Sequence, residues 1–317
     1  MVRQDRDSSY NPGMNTSPNR RSLLALLLAA GLAGCQTTPA PSPAASAPPQ
    51  PPPSPPKPLR LPRIGLALGG GAARGFAHIG VIQVLEEAGI KPDLVVGTSA
   101  GSLVAALYAT GRPGPELARL ALAMDESAIT DWSFPGRGLI RGEALARYVR
   151  EQTGGKLIEQ LPLPLGIVAT DLDNGHAVLF QRGDVGAAVR ASSAVPAVFQ
   201  PVKIGSREYV DGGLVSPVPV RFARQMGAEL VIAVDITSPP DGNATSDPFK
   251  MLLQTFAIMG RSINQFELKD ADVVWRPQLA GVGSGDFTAR KRAIDAGREA
   301  ALAGLVGLRK KLAELSQ

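Results

Sequence analysis

The 317-residue chain has few of the residue types on which several common architectures depend. It contains a single cysteine, which excludes an internal disulfide, and aromatic residues make up only 5% of it. The formal net charge of +5 is spread without long basic runs, whereas a nucleic-acid-binding protein needs a clustered basic face with stacking rings. A solvated basic exterior and contact with an anionic lipid surface both fit this charge. We therefore expect no nucleic-acid partner.

The N-terminal region also lacks an apolar run long enough for a typical membrane-spanning helix, which needs about 20 residues. Instead, Arg20 and Arg21 precede about a dozen apolar residues, and small residues follow before Cys35. This order is typical of an export signal, although the two arginines leave the general and twin-arginine routes open. Residues 32–35, LAGC, resemble the lipobox of bacterial lipoproteins, in which the cysteine is lipid-modified and becomes the first mature residue.

This lipobox resemblance implies a lipoprotein signal peptide over residues 1–35 and a membrane anchor at lipidated Cys35. The alternative is a buried thiol with no special role. Gln36 stands where Asp would signal inner-membrane retention, so we expect a cell-envelope protein on the outer membrane, facing the periplasm or the surface. Residues 36–62 are rich in Pro, Ala and Ser and are predicted to form a disordered tether rather than a core.

A strand, a glycine loop and a helix are predicted after the tether. The apolar run Ile64–Leu68 stops at GGGAARG, residues 69–75, and helical periodicity then extends from Ile79 to Gly89. Glycine N–H groups beside a helix N-terminus can hold a phosphate or an oxyanion. Dinucleotide sites and plain tight turns use the same pattern, so the loop alone does not define a function.

The next motif is a candidate nucleophile elbow. A second predicted strand, Asp93–Val96, leads into a G-x-S-x-G motif, and a helical segment follows. The serine of such a motif lies on a sharp strand-to-helix turn, where only glycine fits on either side. This context favours Ser99 as a catalytic nucleophile. The motif residues are Gly97, Thr98, Ser99, Ala100 and Gly101.

A nucleophilic serine needs a base within hydrogen-bond distance, and the chain has only two histidines. His78 falls in the helix after the glycine loop, where it is predicted to pack or cap locally. His176 falls in a turn, and a triad of Ser99 with His176 and either Asp171 or Asp173 would be cramped compared with the usual α/β-hydrolase order.

Asp211 is the other candidate base. It ends a predicted strand and precedes Gly212 and Gly213, which let another backbone approach its carboxylate. An aspartate with an ordinary pKa of about 3.9 is a weak base, but burial beside Ser99 would raise that pKa. The D-G-G sequence is also common in simple turns.

Five blocks of the sequence lie between Arg63 and Asp235. The blocks are LGGGAARGFAHIGVIQVLEEAGI, GTSAG, ATDLDNGHAVLF, ASSAVPAVFQPV and YVDGG. In order and spacing, these blocks together resemble the bacterial patatin-like phospholipases of the branch related to neuropathy target esterase.

The resemblance implies a Ser-Asp dyad in which Ser99 matches the nucleophile and Asp211 the base. It also implies an oxyanion element formed by the glycine loop and Arg74, with the N–H groups of Gly70 and Gly71 as donors. The matching oxyanion residues are Gly69, Gly70, Gly71 and Arg74. No metal or cofactor is expected, and the implied substrate is a lipid ester at a membrane surface.

The implied fold is a three-layer α/β/α patatin-like domain with a mainly parallel central sheet, over residues 63–317, with its motifs in 63–235. Residues 192–196 are expected to pass near the site without a chemical role, and Asp171 is expected to orient a nearby loop. Residues 251–268 have helical periodicity that favours a core helix, with a lipid-facing lid as the alternative. A last strand near Val273 and a closing helix from Arg290 are also predicted.

Two other classes of protein remain as alternatives. A nucleotide-binding protein could use the glycine loop, but the chain lacks the G-K-[ST] of a phosphate loop at that point. A catalytically silent surface lipoprotein could use the same fold for binding, although both dyad positions carry the required residue types.

Overall fold

The central strands are apolar on both faces, which requires helices on both sides of the sheet. A computed structural model of the chain describes residues 60–132, 137–237, 247–283 and 285–316. The predicted signal peptide, Cys35 and nearly all of the predicted tether lie outside these residues. The strands are β1 (Ile64–Leu68), β2 (Leu94–Thr98), β3 (Gly138–Ile140), β4 (Leu165–Asp171), β5 (Ala177–Phe180), β6 (Ala197–Phe199), β7 (Val202–Ile204), β8 (Arg207–Asp211), β9 (Leu230–Val234) and β10 (Val273–Trp275).

Eight α-helices lie in the described ranges, together with several short 3-10 helices. The α-helices are α1 (Ala77–Glu87), α2 (Ala100–Ala109), α3 (Gly114–Ala123), α4 (Glu143–Gln152), α5 (Val185–Ser192), α6 (Val220–Gln225), α7 (Pro248–Glu267) and α8 (Arg290–Leu315).

In the main sheet, hydrogen-bonded neighbours follow one another along the path β10-β9-β1-β2-β4-β8-β7, and β5 pairs with β4 outside this path. Strands β10, β9, β1, β2 and β4 run parallel, whereas β5, β7 and β8 pair antiparallel. Strands β3 and β6 form a separate parallel pair. The predicted mainly parallel sheet is therefore confirmed.

Successive residues of β1 point to opposite sides of the sheet, as the period of a strand requires. Leu66 and Leu68 pack in a large core with α1, α2 and α8, while Ala67 packs on the other side with α6. This arrangement confirms the predicted three-layer α/β/α class.

The predicted elements around the motifs are confirmed with small shifts at their ends. The strand Ile64–Leu68 has the predicted bounds, β2 continues two residues beyond Val96, and the closing helix begins at Arg290. The predicted turn before β5 contains Gly175, whose φ of +72° is the left-handed conformation that glycine favours.

The predicted core position of the helix over 251–268 is wrong. Helix α7 forms over Pro248–Glu267, but Met251 and Met259 are exposed, and none of its described apolar side chains is fully buried. Periodicity predicted the helix correctly, since both faces of an amphipathic helix have the same period, but it did not show which face points inward. Of the helices in the described ranges, none is both long and apolar enough to cross a bilayer.

Candidate active site

Ser99 lies on a strained turn between β2 and α2. Its φ of 53° and ψ of −125° are unusual for a residue with a side chain. A Cβ atom on Gly97 would overlap the carbonyl of Gly101, and one on Gly101 would overlap the carbonyl of Leu68. The two glycines therefore permit the turn, and the turn holds the Ser99 side chain beyond the carboxyl end of β2.

The register of β4 explains why Asp211 meets Ser99. Strand β5 occupies one edge of β4, so β2 and β8 share the other edge. Thr98, the last residue of β2, pairs with Val168, and Asp211, the last residue of β8, pairs with the next residue, Ala169. The two strands thus meet end to end, and the residue after β2 faces the last residue of β8.

The two side chains are hydrogen-bonded. Ser99 Oγ donates to Asp211 Oδ2 at 2.6 Å, and the N–H of Gly213 donates to Asp211 Oδ1 at 2.7 Å. Asp211 is buried, and no ion pair within the described part of the chain includes it. Burial raises the pKa of Asp211 to about 6, although the hydrogen bonds from Ser99 and Gly213 act to lower it. The carboxylate is still mostly ionised at pH 7 and can accept the serine proton.

The glycine loop lies against Ser99, but its N–H groups are not all available. A Cβ atom on Gly70 would be only 3.1 Å from Ser99 Cβ, which shows how closely the loop approaches the serine. The N–H of Gly69 donates to Val234 O at 3.1 Å, and that of Gly70 donates to Pro217 O at 2.9 Å.

These contacts correct the expectation that Gly70 supplies an oxyanion donor. Among the described residues, the N–H of Gly71 has no acceptor, so it remains the candidate donor of the three glycines. The neighbouring Ala72 has a φ of 49°, so the loop is strained beside the serine, like the elbow itself.

Arg74 has a different contact from the one that the sequence predicts. Its Nε donates to Val282 O at 2.9 Å, and Nη1 is buried without a hydrogen-bond partner. Burial lowers the pKa of Arg74. No hydrogen bond in the described ranges joins Arg74 to Ser99, so the structure places this side chain between the glycine loop and the segment before α8.

Neither histidine is hydrogen-bonded to Ser99 or Asp211. His78 is fully buried and its Nε2 lies 2.8 Å from the carbonyl oxygen of Gly69. Burial lowers the pKa of His78 to about 4, so the ring is neutral at pH 7 and donates from Nε2 to that carbonyl. His78 therefore packs locally, as predicted, and anchors the start of the glycine loop.

The alternative triad is not assembled. His176 is exposed on an open cleft that it lines with Val215 and Arg221, and its side chain makes no hydrogen bond to a described residue. Asp171, its proposed partner, accepts instead from Arg207 Nη1 at 2.7 Å. This pairing removes Asp171 as the acid of the triad, and no hydrogen bond in the described ranges joins the alternative acid, the Asp173 carboxylate, to His176.

Two serines that hold the site together were not predicted from the sequence. Ser192 Oγ accepts the N–H of Ser99 at 2.9 Å and donates to Val168 O at 2.5 Å. The carbonyl oxygen of Ser216 accepts a hydrogen bond from Thr98 Oγ1 at 2.9 Å, so Ser216 fixes the residue before the nucleophile. Only the block resemblance placed Ser192 near the site, and no local pattern distinguished Ser216.

A serine on a nucleophile elbow, bonded to a buried carboxylate at the carboxyl edge of an α/β/α sheet, defines a site of the serine-hydrolase type. No group of side chains suited to a metal ion occurs in the described ranges. A family model for patatin-like phospholipases matches residues 66–224, half of the chain. The chain therefore belongs to the patatin-like phospholipase family, and its domain is that of a lipid hydrolase.

Similar proteins agree with this assignment. An uncharacterised NTE family protein of Mycobacterium tuberculosis is 42% identical over 186 residues, which cover 58% of this chain and 51% of the relative. The patatin-like phospholipase domain-containing protein 6 of Mus musculus is 34% identical over 230 residues, covering 70% of this chain and 16% of that protein. The chain thus spans about half or less of the length of these relatives.

Among solved structures, VipD from Legionella pneumophila matches with a TM-score of 0.51 and 14% sequence identity. The match covers 77% of this chain and 66% of VipD. At this identity the likeness supports the fold alone.

Proposed function

We propose that the chain is a serine lipid acyl hydrolase, of the phospholipase A or lysophospholipase type, in which Ser99 and Asp211 form a catalytic dyad. The observation that carries the proposal is the 2.6 Å hydrogen bond from Ser99 Oγ to a buried carboxylate that has no cationic partner among the described residues. A carboxylate stripped of water and counter-ion is a stronger base, and here it contacts the one proton that catalysis must remove.

In the acylation step, Asp211 Oδ2 takes the proton as Ser99 Oγ attacks the ester carbonyl carbon. The tetrahedral oxyanion forms beside the glycine loop, where the N–H of Gly71 is available to donate to it. One such donor contributes about 3 kcal/mol to transition-state stabilisation. The protonated Asp211 then gives its proton to the departing alcohol oxygen, which leaves the acyl group on Ser99.

In the deacylation step, Asp211 accepts a proton from a water molecule that attacks the acyl carbonyl. The fatty acid departs and the proton returns to Ser99 Oγ. His78 and Ser192 support this cycle without proton transfer, because one fixes the Gly69 carbonyl and the other fixes the Ser99 N–H.

The location of the protein belongs to the same proposal. The lipobox resemblance supports an anchor at lipidated Cys35, with the outer membrane as the favoured site. The tether, residues 36–62, would hold the domain up to tens of ångströms from that anchor at about 3.1 Å per residue. A membrane lipid is then the substrate that the enzyme meets most often.

The test is fatty-acid release from phospholipid, lysophospholipid, acylglycerol and a soluble short-chain ester. We expect release by the native chain and loss of all detectable release in Ser99→Ala. Ser206→Ala, an exposed serine in the turn between β7 and β8, is the matched control and should retain full activity. If the folded native chain releases no acid from any of these esters, the proposal is wrong and the binding-lipoprotein alternative gains support.

A further inference from the structure

Helix α7 differs from the usual surface helix, whose apolar side faces the core, because it carries apolar side chains on its outer side as well. Its fully buried residues are Gly260, Asn264 and Glu267, and Leu253 and Phe256 on the same side are half-buried. Four further apolar residues on the opposite side form an exposed row, here called the apolar stripe. The apolar stripe consists of Met251 (57% exposed), Ile258 (50%), Met259 (46%) and Phe266 (69%).

The inward side of α7 is not a well-satisfied polar interface. Asn264 Nδ2 and Oδ1 are both buried and have no hydrogen-bond partner among the described residues, and the same holds for Glu267 Oε2. The other carboxylate oxygen, Glu267 Oε1, accepts from Ser216 Oγ at 2.5 Å. Glu267 also forms an ion pair with Arg221, at 3.5 Å from Arg221 Nε to Glu267 Oε1. Burial raises the pKa of Glu267 to about 7. Because unpaired buried polar atoms cost free energy, packing on the domain alone does not explain why this helix exposes its apolar residues.

The charges around the apolar stripe suit an anionic surface. Lys250, which pairs with Asp247 at 3.3 Å, and Arg261 are exposed on α7, and Lys269 is exposed just beyond its end. Lys269 Nζ lies 5.1 Å from the centre of the Phe266 ring, so an apolar group and a cation stand together at that end. An apolar row flanked by basic side chains is the pattern of a helix that lies in a lipid interface.

The position of α7 joins this surface to the candidate active site. A Cβ atom on Gly260 would be 3.5 Å from Pro217, whose carbonyl holds the Gly70 N–H. Glu267 bonds to Ser216, whose carbonyl holds Thr98. A surface touching the outer side of α7 is therefore about one helix diameter, roughly 10 Å, from the segment that supports the serine.

We propose that α7 docks the domain on an anionic lipid surface, with the apolar stripe among the upper acyl chains and the basic side chains at the phosphates. This inference rests on the proposed lipid hydrolase function and adds the element that brings the site to its substrate. A second copy of the chain is the competing occupant of the apolar stripe.

The single cysteine makes a local test straightforward. In the full chain carrying Cys35→Ser, one new cysteine is introduced by Ile258→Cys and labelled with an environment-sensitive dye. The matched control is Val306→Cys, a 79% exposed apolar position on α8, a helix whose inward residues include buried Ala301 and Leu308. Vesicles of phosphatidylcholine with about one third phosphatidylglycerol should shift the first dye to the blue and raise its intensity at least about twofold.

The control dye should not respond, and pure phosphatidylcholine vesicles should give a smaller response at Ile258→Cys. An equal response at both positions, or none at Ile258→Cys, would overturn the proposal. A blue shift without vesicles that grows with protein concentration would also overturn it, because it would assign the apolar stripe to a second copy.

A charge test measures the effect on catalysis. Combined Ile258→Asp and Met259→Asp should lower hydrolysis of vesicle lipid at least about tenfold, while hydrolysis of a soluble ester stays within about twofold. Combined Leu302→Asp and Val306→Asp on α8 is the control and should leave both rates within that range. Equal loss on both substrates would contradict docking by α7. Failure of the native chain on every ester would instead contradict the proposed function, and the dye response would still decide the docking proposal.

Discussion

Asp171 is the last residue of β4, and Asp211 is the last residue of β8, the antiparallel strand that pairs with it. The two aspartates lie two paired positions apart, and both are buried. Burial acts to raise the pKa of Asp171, but the N–H of Asp173 and the Arg207 guanidinium outweigh it and hold that pKa below its usual range. Asp211 contacts Ser99 and pairs with no cation in the described ranges, so burial keeps its pKa raised. Backbone N–H donors and a counter-ion thus separate a structural carboxylate from one suited to act as a base.

The largest expected effect comes from removing each carboxylate in turn. Asp211→Asn should lower kcat about 10³-fold, since an amide cannot take the Ser99 proton. Asp171→Asn, the matched change at the partnered site, should lower kcat less than about threefold. Both are measured by hydrolysis of a soluble ester at pH 7.5. Similar losses of kcat in the two variants would contradict the different roles assigned to the two carboxylates.

The support around the dyad should matter next. Ser192→Ala leaves the buried Ser99 N–H without its acceptor, which costs about 1–3 kcal/mol. We expect kcat to fall about 10- to 100-fold with little change in KM, because the elbow is displaced while the binding surface remains. Ser193→Ala changes the neighbouring residue, whose side chain has no described hydrogen bond, and should retain activity within about twofold.

The pH dependence of activity tests the raised pKa of Asp211 directly. The base must be ionised, so kcat/KM should rise about tenfold per pH unit below 6 and level off above it. Soluble-ester hydrolysis between pH 4.5 and 8 gives the profile, in a range chosen to span the pKa of about 6. A midpoint near 4 would mean that burial does not strengthen this base.

Stability should respond to the two carboxylates with opposite signs. The folded pKa of Asp211 lies above the unfolded value, so its ionisation destabilises the fold as pH rises from about 4 through 6. At pH 7.5 the free energy of unfolding of Asp211→Asn should therefore exceed that of the native chain by up to about 3 kcal/mol, and this difference should shrink as pH falls.

The folded pKa of Asp171 lies below its unfolded value, so this group stabilises the fold above that unfolded value. At neutral pH Asp171→Asn should be less stable than the native chain. In acid, the unfolding free energies of the two should converge. Denaturant unfolding at pH 7.5 and 4.5 checks the sign for Asp211, and a further measurement at about pH 3 checks the sign for Asp171. A native chain more stable than Asp211→Asn at pH 7.5 would contradict the predicted cost of ionising Asp211.

The elbow was predictable from the sequence because its determinants are local. A strand, two glycines around a serine and a helix follow one another within residues 94–109, and the structure has them in that order. The proximity of Asp211 to Ser99 is not local, since it depends on the shared edge of β4. The residue pattern made Asp211 one candidate base among others, and the family resemblance singled it out.

Other parts of the site depend on partners far along the chain. Gly70 could not be removed from the predicted oxyanion donors without knowing that its N–H meets the carbonyl of Pro217. The role of Ser192 depends on the N–H of Ser99, 93 residues away. The orientation of α7 was hidden for another reason, because its fully buried side chains include polar Asn264 and Glu267 while apolar side chains lie exposed on its outer side.

The most direct test of the dyad is covalent trapping with a fluorophosphonate, followed by mass mapping of the labelled peptide. The predicted result is one phosphonyl group on Ser99 in the native chain, strongly slowed labelling in Asp211→Asn, and unchanged labelling in His176→Ala. Modification of a different residue, or loss of labelling in His176→Ala, would contradict a Ser99–Asp211 dyad.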